Sequence, residues 1–142
     1  MPFFEDYLLK DVIPTVEARY RVAPGRQNRA IAGLSMGGGQ SLKIGLGHLD
    51  LFSAIASFSG AVPADFETRF AALLKDSKGT NERLKTLWIG CGRQDSLFPR
   101  SSGLSELLTK YQVRHVFHAT DGVHNYTVWK KCLAEYAPLL FR

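Results

Sequence analysis

A serine between two glycines is the residue of this sequence best suited to covalent chemistry. Residues 33–37 have the sequence Gly-Leu-Ser-Met-Gly, with Ser35 at the centre. The pattern follows a short apolar run and precedes a segment with helical character. This context is typical of a nucleophile held in a sharp, strained strand-to-helix turn. The pattern therefore predicts that Ser35 is a nucleophile; the alternative is a structural turn extended by Gly38 and Gly39.

A serine hydroxyl is a weak nucleophile at neutral pH, so it needs a base, and the base needs an orienting carboxylate. Where the serine occupies such a turn, the chain order is serine, then aspartate or glutamate, then histidine. Asp95 follows the apolar run 86–91, and His124 follows the run 113–119. Because loops after parallel strands open on one edge of a sheet, we expect these two side chains to meet Ser35 there.

Other acids and histidines fit these roles less well. Asp121 is more typical of a turn former, and Asp76 is expected on the opposite edge of the sheet. His48 lies near a helix end, where capping is the usual role. His115 and His118 fall inside a predicted strand, where packing or a solvated edge is the more common environment. Asp95 and His124 therefore remain the predicted acid and base.

The elements that must position these side chains alternate between helix and strand. The predicted helices cover 3–20, where Pro14 is expected to kink the helix or start a new turn, 40–49, a stretch within 64–75, 101–111 and 126–140. The predicted strands cover 29–34, 52–58, 86–91 and 113–119. Short apolar strands separated by helices favour right-handed crossovers and a parallel sheet buried on both faces. The sequence therefore predicts an α/β fold, a three-layer sandwich with a mainly parallel sheet, in one domain over 1–142.

Composition excludes several other classes of protein. The net charge of +5 comes from 18 basic and 13 acidic residues that are dispersed along the 142-residue chain, which argues against a nucleic-acid-binding surface. No apolar run approaches the roughly 18 residues of a membrane span. The N-terminus lacks the features of a signal peptide, which leaves the compartment open and favours cytoplasmic over secreted.

The two cysteines fit neither a metal site nor a disulfide framework. Cys91 ends an apolar run and Cys132 falls in a predicted helix, which indicates two buried small hydrophobic residues. A disulfide between them remains open at this point.

Three blocks of sequence resemble a known family. They are IAGLSMGGGQSLKIGLGHLDLFSAIASFSGA, WIGCGRQDSLF and DGVHNYTVWKKCL. They resemble the putative-esterase family of α/β-hydrolases, which includes feruloyl esterases attached to xylanases, S-formylglutathione hydrolases, enterochelin esterases and mycolyltransferases. The feruloyl esterase branch is the most similar. The resemblance covers almost the whole chain.

The resemblance implies a role for each matched residue. Ser35 becomes the nucleophile, Asp95 the orienting acid and His124 the general base, with the backbone N–H of Met36 as one oxyanion donor. Trp129, one helical turn beyond the base, is placed near the acyl pocket, and the alternative is a packed core tryptophan. The implied activity is that of a serine carboxylic-ester hydrolase with an acyl-enzyme intermediate. It acts on acyl or feruloyl esters of carbohydrates or small alcohols, and needs no metal or organic cofactor.

One departure from the family pattern is visible in the sequence. Relatives have several strands before the nucleophile turn, and one of their loops supplies the second oxyanion N–H, whereas here the turn arrives at residue 35. The chain therefore resembles the C-terminal half of the family fold. Strand 29–34 is then expected to be an exposed sheet edge that self-associates or is completed by another polypeptide. A second hypothesis follows: a truncated, catalytically impaired relative that serves as a binding or assembly module.

Overall fold

Short apolar segments build a parallel sheet in the computed structural model of the protein, which describes residues 2–142. The four strands lie side by side in chain order, as β1 (Ala30–Leu34), β2 (Ala54–Phe58), β3 (Thr86–Gly92) and β4 (Val116–Thr120). All three pairings are parallel, with Ala30 opposite Ala54, Ala54 opposite Thr86 and Trp88 opposite Val116. The predicted α/β class and parallel sheet are confirmed.

The helices occupy most of the predicted segments. They are α1 (Pro2–Tyr7), a π-helical turn (Leu8–Val12), α2 (Ile13–Arg19), α3 (Met36–Gly47), α4 (Phe66–Arg69), α5 (Ala71–Lys75), α6 (Ser77–Arg83), α7 (Phe98–Lys110) and α8 (Tyr126–Tyr136), with 3-10 turns at Arg26–Asn28 and Ala137–Leu139. The helix predicted at 40–49 begins earlier, because the serine turn leads directly into it. The helix predicted within 64–75 is two short helices, and α6 was missed. None of the helices within residues 2–142 combines the length and apolar composition needed to cross a membrane.

The predicted kink at Pro14 takes the form of a widened helical turn. Pro14 stands at the start of α2, directly after the π-helical turn. A proline has no N–H to donate, and its ring collides with the carbonyl four residues earlier. A π-helical turn moves that carbonyl away, so the chain continues past the proline as a second helix.

Helices pack on both faces of the sheet, which gives the predicted three layers. One apolar cluster joins α3 and α7 to Ile55 and Ile89 of the central strands. The other joins α8 to Phe58 and Trp88, whose side chains point to the opposite face. β2 is buried along its whole length, whereas β1 and β4 are only half-buried. The predicted burial on both faces of the sheet is therefore found for the central strands β2 and β3 but not for the edge strands.

β1 forms an open edge of the sheet. Ser53 N donates to Arg29 O at 3.2 Å, and Ser35 N donates to Phe58 O at 2.9 Å. Alternate residues of a parallel strand bond to the same neighbour, so the backbone groups of Ala30, Ala32 and Leu34 point away from β2. On that side the sheet has no further strand within residues 2–142.

An ion-pair cluster attaches α1 to α3. The Glu5 carboxylate contacts His48 Nε2 at 2.8 Å and Lys43 Nζ at 3.0 Å. The hydrogen bond from His48 is the largest cause of the lowered pKa of Glu5, and Lys43 adds to it. The sequence suggested that His48 caps the end of its own helix. Its side chain instead binds Glu5 of α1. α1 itself is poorly covered: Phe3 is 85% exposed and Tyr7 58% exposed.

Self-association through β1 stays a prediction, and light scattering across a concentration series tests it. We expect the mass to rise with concentration, because an unpaired strand edge recruits another strand. The Ala32→Pro variant removes an outward-pointing N–H and is expected to lower the association, whereas Ala32→Val keeps that N–H and preserves it. A constant monomer mass at the highest concentration would contradict the prediction.

Candidate active site

Ser35 occupies a strained backbone conformation between β1 and α3. Its φ of 54° and ψ of −120° lie in a region that residues with a side chain rarely adopt. Three N–H groups, those of Gly38, Gly39 and Ala61, donate to Ser35 O at 3.0–3.2 Å. Strain of this kind persists only where the surrounding contacts over-determine it. The turn lifts the hydroxyl of Ser35 above the carboxyl edge of the sheet.

The two glycines of the pentapeptide have different roles. A Cβ at Gly33 would lie 2.3 Å from Gly37 O and 2.9 Å from Ser41 Oγ, so the start of α3 can approach β1 only if residue 33 lacks a side chain. A Cβ at Gly37 would meet nothing within 4 Å. Close packing therefore requires the first glycine, and the second faces open space.

Three side chains from three loops form a continuous relay of hydrogen bonds. The hydroxyl of Ser35 donates to His124 Nε2 over 2.9 Å, and His124 Nδ1 donates to Asp95 Oδ2 over 2.8 Å. The loops follow β1, β3 and β4, whose carboxyl ends meet at one edge because the strands are parallel. The structure thus brings together the three residues that the sequence predicted to meet.

Asp95 is a buried carboxylate that its surroundings keep ionised. Its side chain has no exposed surface, and burial is the largest influence on its pKa, acting to raise it. Hydrogen bonds from the Leu97 N–H at 2.8 Å and from His124 Nδ1 at 2.8 Å act against that cost, and the pKa falls below its ordinary value. An ionised Asp95 only accepts, so His124 carries its proton on Nδ1 and leaves Nε2 free for the serine proton.

The loops that carry Asp95 and His124 are braced against each other. Gln94 N donates to Gly122 O at 3.1 Å, and Gln94 Oε1 accepts from Gly122 N at 2.6 Å. Gly122 has a φ of 133° and a Cβ there would lie 2.4 Å from Val128, so the bend before His124 requires glycine. The sequence reasoning missed Gln94, because no local pattern distinguishes a bracing amide from a surface one.

Met36 is the first residue of α3 and directly follows Ser35. Gly38 and Gly39 bond back to Ser35 O, whereas the N–H of Met36 has no backbone partner in the described part of the chain. Free N–H groups at a helix start favour a negative charge. A second oxyanion donor from an earlier strand is not supplied by residues 2–142, since β1 is the first strand.

An aromatic ring contacts the relay, and an apolar groove begins at the residue after Ser35. The ring of Trp129 stands edge-on to His124, with centroids 5.0 Å apart, and is half-buried at the margin of the cluster beneath α8. Its packing against this cluster agrees with the alternative of a packed core tryptophan, and its place near an acyl pocket stays a prediction. A groove of about 200 Å³ is lined by Met36 and by residues of α1 and α3, with Phe4 and Pro63 among its walls.

The rival residues lie elsewhere. Asp121 is exposed and faces Arg93 Nε at 3.7 Å, and the Asp76 carboxylate accepts from Gly79 N at the start of α6. His115 contacts Ser105 Oγ at 2.8 Å, and His118 stacks on Trp88 with centroids 5.4 Å apart. None of these residues reaches the Ser35 hydroxyl.

The thiols and acids form no second site. Cys91 and Cys132 are both buried and free, which confirms their reading as small core residues and excludes the disulfide. Across residues 2–142, no group of three or more histidine, cysteine, aspartate or glutamate side chains is arranged to hold a metal ion.

A parallel sheet with a Ser–His–Asp relay at its carboxyl edge defines the α/β-hydrolase class. Residues 1–140 match the family described as Putative esterase, and the chain belongs to that family. It is similar to an endo-1,4-beta-xylanase/feruloyl esterase of Xylanibacter ruminicola, 27% identical over 139 residues. It is also similar to an acetyl esterase of Caldicellulosiruptor saccharolyticus, 22% identical over 166 residues. A solved ferulic acid esterase superposes with a TM-score of 0.79 at 27% identity.

The chain spans less than two thirds of each of these relatives. The three alignments include 98%, 93% and 95% of this chain, respectively. They include only 18% of the xylanase/feruloyl esterase, 61% of the acetyl esterase and 59% of the ferulic acid esterase. In the bifunctional relative the matched part lies toward the N-terminus. The expectation of a C-terminal half is therefore not supported for that protein, whose length includes a second activity.

The difference between the two motif glycines gives a test of the turn. Gly33→Ala forces a Cβ against the backbone of α3 and is expected to destabilise the fold by about 1–3 kcal/mol, the usual cost of overpacking. Gly37→Ala places its methyl group in open space and replaces a helical glycine, so its free energy of unfolding should stay equal or rise. Urea denaturation measures both. Equal destabilisation by the two substitutions would contradict the assigned packing.

Proposed function

We propose that this chain carries the catalytic centre of a serine carboxylic-ester hydrolase that works through an acyl-enzyme intermediate. The observation that carries the proposal is the relay from the Ser35 hydroxyl through His124 to the buried Asp95. A serine in a strained turn, a half-exposed imidazole and a buried carboxylate are the parts that this chemistry requires.

The distances in the relay support the following proton transfers. As Ser35 Oγ attacks the ester carbonyl, its proton passes to His124 Nε2, which lies 2.9 Å away. The imidazolium is stabilised by Asp95 and then protonates the leaving alcohol as the acyl group remains on Ser35. Water attacks the acyl-enzyme in the same way and loses its proton to His124, which returns that proton to Ser35 Oγ as the acyl–oxygen bond breaks and the acid leaves.

The N–H of Met36 is proposed as one oxyanion donor, because it is free and follows the nucleophile directly. Residues 2–142 provide no loop from an earlier strand for the second. Loss of one such donor typically costs about 10²–10³ in turnover. The same observation favours the second candidate function, a catalytically impaired relative that serves as a binding or assembly module.

We propose acyl or feruloyl esters of carbohydrates or small alcohols as substrates. The proposal is supported by relatives named feruloyl esterase and acetyl esterase, and by the groove that starts at Met36. The apolar side chains of Phe4 and Pro63 suit an aromatic acyl group, and Gln40 and Lys43 in the same groove can hydrogen-bond to its polar substituents. Trp129 is proposed to border the acyl group on the side of His124.

Labelling with a fluorophosphonate separates the two candidate functions. We expect the probe to modify Ser35 in the folded protein, and p-nitrophenyl acetate to be hydrolysed. Ser35→Ala and His124→Ala should abolish turnover, whereas His118→Ala, which removes a histidine outside the relay, should keep it. A folded protein whose Ser35 stays unlabelled would support the binding module instead.

A matched pair of substrates tests which acyl group the protein prefers. p-Nitrophenyl ferulate and p-nitrophenyl acetate share a leaving group, and we expect kcat/KM to be about tenfold higher for the ferulate, since burying an aromatic ring gains over 1 kcal/mol. Phe4→Ala should remove most of that preference and leave acetate turnover unchanged. Phe3→Ala is the control, because the neighbouring Phe3 is 85% exposed. Equal rates on both esters would contradict a feruloyl preference.

A further inference from the structure

His124 is carried by a loop and not by a helix or strand. The loop covers residues 121–125, between the end of β4 at Thr120 and the start of α8 at Tyr126. Within residues 2–142 the backbone N–H and carbonyl of His124 make no backbone hydrogen bond. Its side chain is 34% exposed. The orientation of the imidazole ring therefore depends on the side chains that contact it.

The two hydrogen bonds of the imidazole leave one motion of the ring weakly restrained. Nδ1 bonds to Asp95 at 2.8 Å, and Nε2 bonds to Ser35 at 2.9 Å. Both bonds lie near the plane of the ring, because the N–H group and the lone pair of an imidazole point outward in that plane. A tilt about the line through the two nitrogens changes neither distance much, but it turns the Nε2 lone pair away from the Ser35 hydroxyl. Only hydrogen-bond angles resist this tilt, and they have a broad optimum.

Trp129 supplies a contact that acts against the tilt. Its ring and the imidazole of His124 have centroids 5.0 Å apart and planes at 89°. Aromatic pairs favour this perpendicular arrangement, and a ring packed at right angles to another restricts its rotation. The indole Nε1 is buried and has no hydrogen-bond partner within residues 2–142. Trp129 therefore acts on His124 through its ring and not through a hydrogen bond.

The indole is held in place independently of His124. Trp129 N donates to Asn125 O at 3.2 Å in the first turn of α8, and the Asn125 side chain caps that turn by accepting from Val128 N at 3.2 Å. The ring packs against the buried apolar cluster beneath α8. Tyr126 makes a second perpendicular contact with it, with centroids 5.0 Å apart and planes at 78°. Trp129 is therefore a fixed support for the ring of His124.

We infer that Trp129 is a positioning residue whose perpendicular ring fixes the tilt of the His124 imidazole and keeps Nε2 directed at Ser35 Oγ. The inference rests on the proposed hydrolase function, because it assigns a part in that relay to α8. His124 Nε2 accepts a proton first from Ser35 and later from water, so both halves of the reaction depend on this orientation. A positioning contact acts equally on every acyl group, whereas a residue that borders the acyl group acts on large ones.

Two substitutions separate the aromatic ring from the volume that it fills. Trp129→Phe retains a ring, whereas Trp129→Leu retains an apolar side chain of similar size to phenylalanine without one. We expect Trp129→Leu to lower kcat about tenfold with KM unchanged, the factor that loss of an aromatic pair can produce. Trp129→Phe should stay within about threefold of the wild-type kcat. The loss should be the same for p-nitrophenyl acetate and p-nitrophenyl ferulate.

Leu140→Ala is the matched control for packing. Leu140, like Trp129, is partly buried against the cluster beneath α8, and it lies outside the relay. Its truncation should lower the unfolding temperature and leave kcat unchanged. Thermal unfolding is followed by circular dichroism, and rates are measured below the lowest transition. If Trp129→Leu does not fold, Trp129→Met takes its place with the same expectation.

A wild-type kcat in Trp129→Leu overturns the inference, and so does an equal fall in Trp129→Phe or in Leu140→Ala. A loss confined to the ferulate ester also overturns it, because Trp129 would then act on the acyl group alone.

If the wild-type protein shows neither turnover nor fluorophosphonate labelling, the proposed function fails separately. The positioning contact is then decided by NMR relaxation of the His124 ring in protein with ¹³C-labelled histidine, which reports the rotational freedom of the imidazole. Greater freedom in Trp129→Leu, with wild-type values in Trp129→Phe and Leu140→Ala, supports the inference. Wild-type freedom in Trp129→Leu overturns it.

Discussion

A buried negative charge is the constraint on which the rest of this structure depends. The Asp95 side chain has no exposed surface, and such a carboxylate is tolerated only where hydrogen-bond donors replace the lost water. The donors come from separate parts of the chain: the N–H of Leu97 after β3 and the imidazole of His124 after β4. Compensation of one charge therefore holds the loops at the carboxyl edge of the sheet in a single arrangement.

Backbone strain at the same edge is held by close packing. Ser35 and Ser59 both adopt positive φ values, and the loop between β2 and α4 links them through Ala61. α3 approaches β1 closely because Gly33 lacks a side chain, and it meets the β2 loop where Gly38 and Gly39 face Gly60 and Ala61. The nucleophile turn and the acid site are thus one packed unit, and a change at either is expected to reach the other.

In contrast to this packed edge, β1 and α1 leave backbone groups and aromatic side chains uncovered. The outward backbone groups of β1 have no strand beside them within residues 2–142, and α1 is attached to α3 through Glu5, Lys43 and His48 while its aromatic side chains stay exposed. The relatives with which the chain aligns are longer than it is. The Ser–His–Asp relay is therefore complete in residues 2–142, and of the two proposed oxyanion donors only the N–H of Met36, which directly follows Ser35, lies within them.

Local pattern by itself determined the strand–turn–helix around Ser35, the parallel α/β class and the pairing of Asp95 with His124, because each depends on short-range periodicity and chain order. Tertiary structure decided the rest. The brace between Gln94 and Gly122, the binding of Glu5 by His48 and the hydrogen bond from Ser59 N to Gly90 O all join residues distant in sequence. Such contacts depend on which faces meet after folding, and no local spacing encodes them.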